Sequence, residues 1–540
     1  MKKKLFGNTL NLRKTQLQLI ETLYNFTSSS EYIIDPKIAQ LLVKLSHETK
    51  RQIGLLISRN GKVIYVISGD AHKIVIPVTP QYMATPGRLK GLRLIHTHLK
   101  NEHLTQDDLT DLALLRLDYI TAICITPKGK PGHVYSAHLL TDGGSTPHQI
   151  TPRSTIDKLN IDCLAQILAL ESEMTKKNSL YKPESGRENA FLINATTLDP
   201  KQARTSMDEL KELCNTSHIN VIGTAVQRRK TIDSKFVVGK GKLSSLIISA
   251  IQKYATMLVF DRELSASQIR SITDFVEIKV IDRTQLILDI FARQAKSKQG
   301  KFQVELAQME YLLPRLITKN SAMSRLTGGI GGRGPGETKL ELNRRRVRER
   351  ITVLKKEIKK IHKQRKQQKA RRKRKNLPVV SIVGYTNAGK STLLNTLTQS
   401  RILAANRLFA TLDPSSRRLR FPKDTQVIIT DTVGFIRNLP KELMQAFHTT
   451  LEELNDADVI LHVIDISNSR YTQQKKSVEK ILKNLKLDRT PTLLVFNKID
   501  RIDLDSFDDQ WLLNQGFSVC ATQKKTLTPL IEKLESMVKM

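Results

Sequence analysis

Val379-Val380-Ser381-Ile382-Val383-Gly384-Tyr385-Thr386-Asn387-Ala388-Gly389-Lys390-Ser391-Thr392 is the stretch on which the fold turns. Its first residues are mostly apolar and β-branched and predict a buried strand. The glycines that follow are spaced G-x-x-x-x-G-K-S, with a helix expected from Lys390. That order suits one task. Two glycines let successive backbone N–H groups curl around a phosphate. The helix N-terminus adds partial positive charge. Lys390 reaches the outer phosphates, and the Ser391 hydroxyl ligates Mg2+. Gly384, Tyr385, Thr386, Asn387, Ala388, Gly389, Lys390, Ser391 and Thr392 are therefore the first nucleotide-binding candidates, and Mg2+ is the expected cofactor. Asn387 has two readings, a ligand for K+ or a turn-stabilising residue.

Downstream, Asn497-Lys498-Ile499-Asp500 follows a strand expected at Thr492–Phe496 and selects the base. The Asp500 carboxylate accepts hydrogen bonds from guanine N1 and N2. Adenine has neither donor and would leave a charged acceptor unpaired. GTP and GDP are thus the expected ligands. Asp431-Thr432-Val433-Gly434 closes a strand expected at Val427–Thr430. There Asp431 should hold Mg2+ through water, and the Gly434 N–H should sense the γ-phosphate. Between these lies Phe409-Ala410-Thr411-Leu412-Asp413, in which Thr411 is the switch threonine, closing on Mg2+ and γ-phosphate and released after hydrolysis. Catalysis falls to Lys390, Thr411 and Gly434, and metal ligation to Ser391, Thr411 and Asp431. Cys520-Ala521-Thr522 is a poorer fifth element that meets guanine through backbone N–H groups. Phe435 stands where the Ras pattern has a water-orienting glutamine. An apolar side chain cannot position water by hydrogen bonding, so slow turnover raised by a partner is expected. The alternative is that Phe435 packs a switch loop.

Charge separates this region from the rest. The chain has 540 residues and a net charge of +36, which favours polyanionic partners. From Pro378 to Met540, 22 Lys+Arg face 18 Asp+Glu, a net of only +4. Between Arg344 and Lys375, 18 Lys+Arg face two acids, Glu349 and Glu357. Self-repulsion there goes uncompensated unless phosphates lie against it. Arg333, Arg344, Arg345, Arg346, Lys355, Lys359, Arg371 and Arg372 are the RNA-binding candidates. No run of eighteen apolar residues is present, so no membrane span is expected. The polar residues after Met1-Lys2-Lys3-Lys4 break any signal-peptide core. A cytoplasmic location is expected, with a peripheral position at the membrane left open. Cys124, Cys163, Cys214 and Cys520 form no CxxC pair and read as buried thiols.

Hydrophobic periodicity gives an α/β organisation. Residues 1–141 form an N-terminal α/β extension with strands at Ile53–Ser58, Val63–Ser68, Ile74–Val78 and Ile120–Ile125. Residues 142–186 form a helix and linker. Residues 187–376 form an α/β domain ending in two long helices, about Thr284–Ile317 and Glu341–Arg372. In the second helix Val347, Ile351, Leu354, Ile358 and Ile361 make a heptad seam, so the two should pair as an antiparallel arm. Residues 377–540 form the P-loop GTPase domain, a parallel sheet with helices on both faces.

The block Gly328-Gly329-Ile330-Gly331-Gly332-Arg333-Gly334-Pro335-Gly336-Glu337-Thr338-Lys339-Leu340-Glu341 strongly resembles the HflX GTPases. So do Val238-Gly239-Lys240-Gly241-Lys242, Phe260-Asp261-Arg262-Glu263-Leu264-Ser265, Asp282-Arg283-Thr284 with Ile290-Phe291-Ala292, Val304-Glu305-Leu306-Ala307-Gln308 and Leu313-Pro314-Arg315-Leu316. The resemblance covers about 187–540. Lys319-Asn320-Ser321-Ala322-Met323 departs from the family's aromatic-containing stretch, and Asn343 replaces an Asp. The resemblance implies a GTPase on the large ribosomal subunit and its RNA, able to separate stalled or idle ribosomes, with the glycine-rich loop near the peptidyl-transferase centre; a monomer is expected. The alternative is an RNA-binding scaffold regulated by guanine nucleotide with little hydrolysis.

Near the N-terminus, His96-Thr97-His98 with Thr105 and Asp108 resembles a metal site and, faintly, the JAMM metallopeptidase pattern. The spacing to Thr105 is one residue short, and Arg51-Gln52 stands where a carboxylate base is needed. A degenerate relative used for packing or binding is therefore expected, rather than a GTPase-regulated metallopeptidase.

Overall fold

A computed structural model describes the chain except residues 1–4, 30–31, 78, 80, 83–87, 142–146, 159–161, 181–186, 277, 317–338, 374–376, 399–407, 410–414, 422–424, 433, 437–443, 445–451, 504–509 and 539–540. The chain divides into two compact units. The first comprises residues 1–203, 219–259 and 267–280, and the second residues 204–218, 260–266 and 281–540.

The first unit is built on a seven-stranded sheet of order β1-β3-β2-β4-β5-β6-β7. Its strands are β1 (Phe6–Gly7), β2 (Ile53–Ser58), β3 (Val63–Ser68), β4 (Leu92–His98), β5 (Ile120–Ile125), β6 (Pro131–Leu139) and β7 (His148–Ile150). β2 pairs antiparallel with β3 and β4, and β4 runs parallel to β5. The central strands β2, β4 and β5 are buried on both faces, which explains their unbroken apolar runs. The strand expected at Ile74–Val78 is not one, since residues 74–77 lack regular pairing. β-branched residues suit an extended segment whether or not a neighbouring strand is there to pair. The helices are α1 (Lys14–Glu21), α2 (Pro36–Thr49), α3 (Gln106–Leu115) and α4 (Cys163–Leu180).

A four-stranded sheet of order β11-β10-β8-β9 follows, from β8 (Asn189–Thr196), β9 (Asn220–Arg228), β10 (Met257–Phe260) and β11 (Lys279–Asp282). The helices between these strands are α5 (Pro200–Thr216), α6 (Lys240–Gln252) and α7 (Ala266–Phe275). The single long helix expected at Thr284–Ile317 is two: α8 (Arg283–Gln294) and α9 (Lys298–Leu312). Ala295 turns to extended backbone, and the Ser297 hydroxyl caps the new N-terminus by accepting from Gly300 N–H. A serine N-cap restarts a helix where apolar periodicity alone reads straight through.

α9 packs against α10 (Lys339–Lys373). Leu354 is buried, and Val347, Ile351, Ile358 and Ile361 are half-buried, so the seam lies where the heptads put it. Arg344 donates to the Leu316 carbonyl beyond the end of α9, while Lys298, at its start, acts on Glu357. The two helices are thus antiparallel.

The second unit contains a six-stranded sheet of order β13-β14-β12-β15-β16-β17. Its strands are β12 (Val379–Gly384), β13 (Ser415–Arg420), β14 (Gln426–Asp431), β15 (Val459–Asp465), β16 (Thr492–Asn497) and β17 (Phe517–Val519). All pairs are parallel except β13 with β14. Helices α11 (Lys390–Thr398), α12 (Tyr471–Asn484), α13 (Gln510–Leu513) and α14 (Thr528–Val538) complete it. The core joins Val380, Ile382, Leu393, Ile429, Leu461, Val495 and Leu530. The register pairs Ile382 with Asp431, Gly384 with Val463 and Asp465 with Asn497. The carboxyl ends of four strands therefore meet at one edge, where neighbours on the two sides of β12 leave in opposite directions. In an open parallel sheet that crevice is where ligands bind.

Candidate nucleotide site

At this edge the loop after β12 is forced by its glycines. Gly389 has φ +94°, and a Cβ there would lie 2.2 Å from Asn497 Nδ2. Asn387 adopts φ +62°, a left-handed conformation that asparagine tolerates. Gly384 has φ +157°, and a Cβ on it would meet the Val463 carbonyl at 2.3 Å.

Lys390 is buried and donates to the carbonyls of Gly384 (3.1 Å) and Tyr385 (2.9 Å). Burial pulls its ammonium down to about 8, with the Asp431 carboxylate acting in the opposite sense. A cation satisfied only by two carbonyls in a dry site is poised for a polyanion. The Ser391 hydroxyl donates to Asp431 Oδ2 at 2.7 Å, and Asp431 is fully buried. A hydroxyl and a carboxylate converging at a strand end are the hard oxygen donors that suit Mg2+. Thr432 donates its hydroxyl to the Ile382 carbonyl, anchoring the segment after β14. A Cβ on Gly434 would sit 3.0 Å from Lys390 Nζ, so that glycine lies directly against the lysine. Ala410, Thr411, Leu412, Asp413 and Val433 lie outside the described residues.

Phe435 is buried at 1% exposure. Its backbone is zipped to the phosphate loop: its N–H donates to the Gly384 carbonyl (3.1 Å), and its carbonyl accepts from Thr386 N–H (2.8 Å). The side chain is part of the buried core.

Asn497 is buried and bridges two loops. Its Nδ2 donates to the Ala388 carbonyl, and its Oδ1 accepts from Ala521 N–H. Lys498, at φ +66°, pairs with Asp465 Oδ2 at 2.6 Å. The Asp500 carboxylate is exposed, with no partner among the described residues. Thr396 donates to the Ala521 carbonyl, and Cys520 N–H donates to the Thr526 hydroxyl. Cys520-Ala521-Thr522 is thereby held beside the base-selecting loop, despite its poor match as a motif.

Sequence reasoning missed one arrangement. The Tyr385 hydroxyl donates to Glu209 Oε1 at 2.5 Å. Arg283 Nη2 lies 2.8 Å from Glu209 Oε2, off the line of a hydrogen bond, and Arg283 Nη1 donates to Asp261 at 3.0 Å. All four side chains are buried or nearly so. Burial raises the Asp261 carboxyl against the pull of Arg283, while the two carboxylates raise the Arg283 guanidinium against the cost of burial. The signal was present in Asp261-Arg262 and Asp282-Arg283, charges set at the ends of apolar strands. Likewise, Phe409 stacks on Phe291 with centroids 4.5 Å apart, and the neighbouring Leu408 carbonyl accepts from Gln294. The chain leading into the switch segment is thus held by α8.

Of the RNA-binding candidates, Arg345 and Lys359 are exposed on α10, as is Arg346. Arg345 approaches Glu349, and Lys355 pairs with Glu310 of α9. Arg333 and the side chains of Arg371 and Arg372 lie outside the described residues, as does most of the glycine-rich block. In the first unit His96, His98 and Asp108 do come together. Thr105 is the N-cap of α3 rather than a ligand. Cys124, Cys163, Cys214 and Cys520 are free and buried. Among the described residues no helix is long and apolar enough to cross a membrane.

The sheet, phosphate loop and guanine-selecting loop define a P-loop GTPase. Residues 379–498 match the family profile described as "50S ribosome-binding GTPase". Residues 204–292 match "GTP-binding GTPase N-terminal", and residues 294–372 match "GTP-binding GTPase Middle Region". The GTPase HflX of Caldanaerobacter subterraneus is 45% identical over 65% of this chain and 80% of its own length. GTPase HflX of Alkalihalophilus pseudofirmus is 46% identical over 58% of this chain and 74% of its own, and that of Escherichia coli 41% over 58% and 74%. The chain belongs to the HflX GTPase family.

Proposed function

We propose that this chain is a GTP-hydrolysing switch that binds the large ribosomal subunit in its GTP state and separates stalled or idle ribosomes. The observation that carries the RNA half of the reading is α10. One apolar seam of this 35-residue helix is spent on α9, and the remaining faces are densely cationic with exposed Arg345, Arg346 and Lys359. The ribosomal description of the profile matched by residues 379–498 supports the same partner. Neutralising about six phosphates would make log affinity fall with log salt at a slope of roughly −4 to −5.

In the GTP state, Lys390 holds the β- and γ-phosphates while Gly434 and Thr411 close on the γ-phosphate. Ser391, Thr411 and Asp431 would hold Mg2+, which when bound would supply charge neutralisation at the phosphates. Asn387 would offer a ligand to K+, which would add to that neutralisation. Asp500 reads guanine, with Cys520, Ala521 and Thr522 beside it. Phe435 supplies nothing to the attacking water, so intrinsic turnover is slow and a partner completes the site. The protein acts as a monomer in the cytoplasm.

Sedimentation of purified ribosomes with the protein, with GDP or a non-hydrolysable GTP analogue at two salt concentrations, tests this. Migration with the large subunit only in the GTP-like state, with loss of intact ribosomes, is expected. Equal binding in both states with ribosomes intact refutes it. The same result would favour an RNA-binding scaffold with little hydrolysis, the reading that the apolar Phe435 side chain supports.

A further inference from the structure

His96 and His98 alternate along β4 and so share one face at its end. Asp108 stands at the third position of α3. These elements are brought together by the β2–β4–β5 sheet and the short turn through Glu102 into α3. The resulting triangle is tight. His96 Nε2 is 2.9 Å from His98 Nε2 and 3.3 Å from Asp108 Oδ1, and His98 Nε2 is 3.5 Å from Asp108 Oδ2. Both histidines are buried, and the Asp108 side chain is 13% exposed.

The outer contacts set the electronic state of the ligand atoms. His98 Nδ1 faces the Glu102 carbonyl at 3.3 Å. A carbonyl only accepts, so the ring proton of neutral His98 sits on Nδ1 and leaves the Nε2 lone pair directed into the triangle. Asp108 is oriented by Thr105, whose N–H and hydroxyl both donate to Oδ2 at 2.7 Å. A histidine donating its distal N–H to a backbone carbonyl, and a carboxylate fixed by outer hydrogen bonds, are the supports that metal ligands receive.

We infer that His96 Nε2, His98 Nε2 and an Asp108 carboxylate oxygen hold a zinc ion as a non-hydrolytic clasp between the end of β4 and the first turn of α3. The dimensions agree. Ligands 2.0–2.1 Å from a tetrahedral centre are ~3.3 Å from one another, close to the 2.9 Å between the two Nε2 atoms and the 3.3 Å from His96 Nε2 to Asp108 Oδ1, and one ligand atom from each of the three side chains lies within 4.8 Å of the others. Two borderline imidazole nitrogens beside one carboxylate oxygen are a donor set that suits Zn2+ better than Mg2+ or Ca2+, which take oxygen donors. The carboxylate also neutralises one of the dication's two charges in a buried place. The fourth position is left for water.

Hydrolysis is not expected there. Gln52 precedes β2 and lies on the same sheet face as Gly54, which is paired with His96. Its side chain is buried, and its Nε2 has no hydrogen-bond partner. An amide cannot take the proton of a bound water, so Gln52 cannot serve as a general base there. Its role is mechanical: it fixes α3, which packs on α6.

Metal analysis of the full-length protein, purified without chelator or metal-affinity tag, tests the site. About one zinc per chain is expected in the wild type and below ~0.1 in His96→Ala/His98→Ala. GDP binding by the same preparations reports whether the rest of the chain remains folded. Since removal of a clasp can unfold the first unit, Asp108→Asn and chelator treatment of the wild type provide a second arm. Both should weaken zinc retention at least tenfold and lower the melting temperature, with added Zn2+ restoring the chelated wild type. Cobalt substituted into the wild type should show the visible bands of a tetrahedral ion. Zinc absent from folded wild type and not taken up at micromolar concentration, or zinc retained by the double variant, would overturn the assignment and leave a hydrogen-bonded His–His–Asp cluster.

Discussion

Replacing Arg283 by methionine probes how the phosphate loop is tied to the segments upstream of it. Arg283 is 5% exposed and sits between Glu209 and Asp261, at 2.8 and 3.0 Å. Methionine fills much of the same volume, so the cost is electrostatic: two buried carboxylates lose their shared cation. Breaking a buried ion pair in this way costs about 3–5 kcal/mol at neutral pH, equivalent to roughly 10 °C in melting temperature. The sign with pH follows from the unpaired acids. Burial already raises Asp261 above the usual carboxylate range, and without Arg283 it rises further. The folded variant then binds more protons than the unfolded chain, so its deficit grows as pH rises and shrinks as pH falls towards 5. Tyr385→Phe removes the hydroxyl that donates to Glu209 Oε1, at about 1.5–3 kcal/mol for a hydrogen bond to a charged group. The two changes share Glu209, so a double-mutant cycle should show a coupling above ~0.5 kcal/mol. It should also show weaker GDP binding, because Tyr385 lies within the phosphate loop. Urea denaturation at several pH values, with GDP titration alongside, measures both. A flat pH dependence of the Arg283→Met deficit, or strictly additive changes, would refute the reasoning.

Phe435→Gln should not speed GTP turnover and should lower stability by about 2–4 kcal/mol, since the position is buried and an amide there has no partner; phosphate release and thermal melting decide this. His462→Leu should make the GTPase domain resistant to acid. Burial, reinforced by Lys475 and Lys390, pulls His462 down to about 3. The folded state therefore refuses a proton that the unfolded chain accepts below about 6.5, and stability falls from there towards pH 3 at up to ~1.4 kcal/mol per unit; the variant's acid midpoint should move to lower pH. Gly389→Ala should lose at least tenfold in GDP affinity, because the new methyl lies 2.2 Å from Asn497 Nδ2 at a φ that disfavours it; unchanged affinity by calorimetry would contradict the geometry.

The sequence by itself determined the chemistry of the nucleotide site. Glycine spacing, Lys390, Ser391 and the Asn497–Asp500 loop are local patterns, and each follows a strand whose apolar run is visible in the chain. The heptad seam of α10 was legible for the same reason. What remained hidden depends on partners far away in sequence. The break between α8 and α9 rests on one capping serine within a continuous apolar rhythm, and residues 74–77 lack the neighbour that would make them a strand. The buried burial-and-charge cluster of Tyr385, Glu209, Arg283 and Asp261 joins residues up to 176 positions apart. The role of Asn497 as a bridge between two loops, and the placing of Phe435 in the core, are likewise decided only by packing. So too is the convergence of His96, His98 and Asp108: sequence supplies the donors, but only the sheet and the capped start of α3 set their separation, because distances between side chains on different elements are fixed by tertiary contacts and not by spacing along the chain.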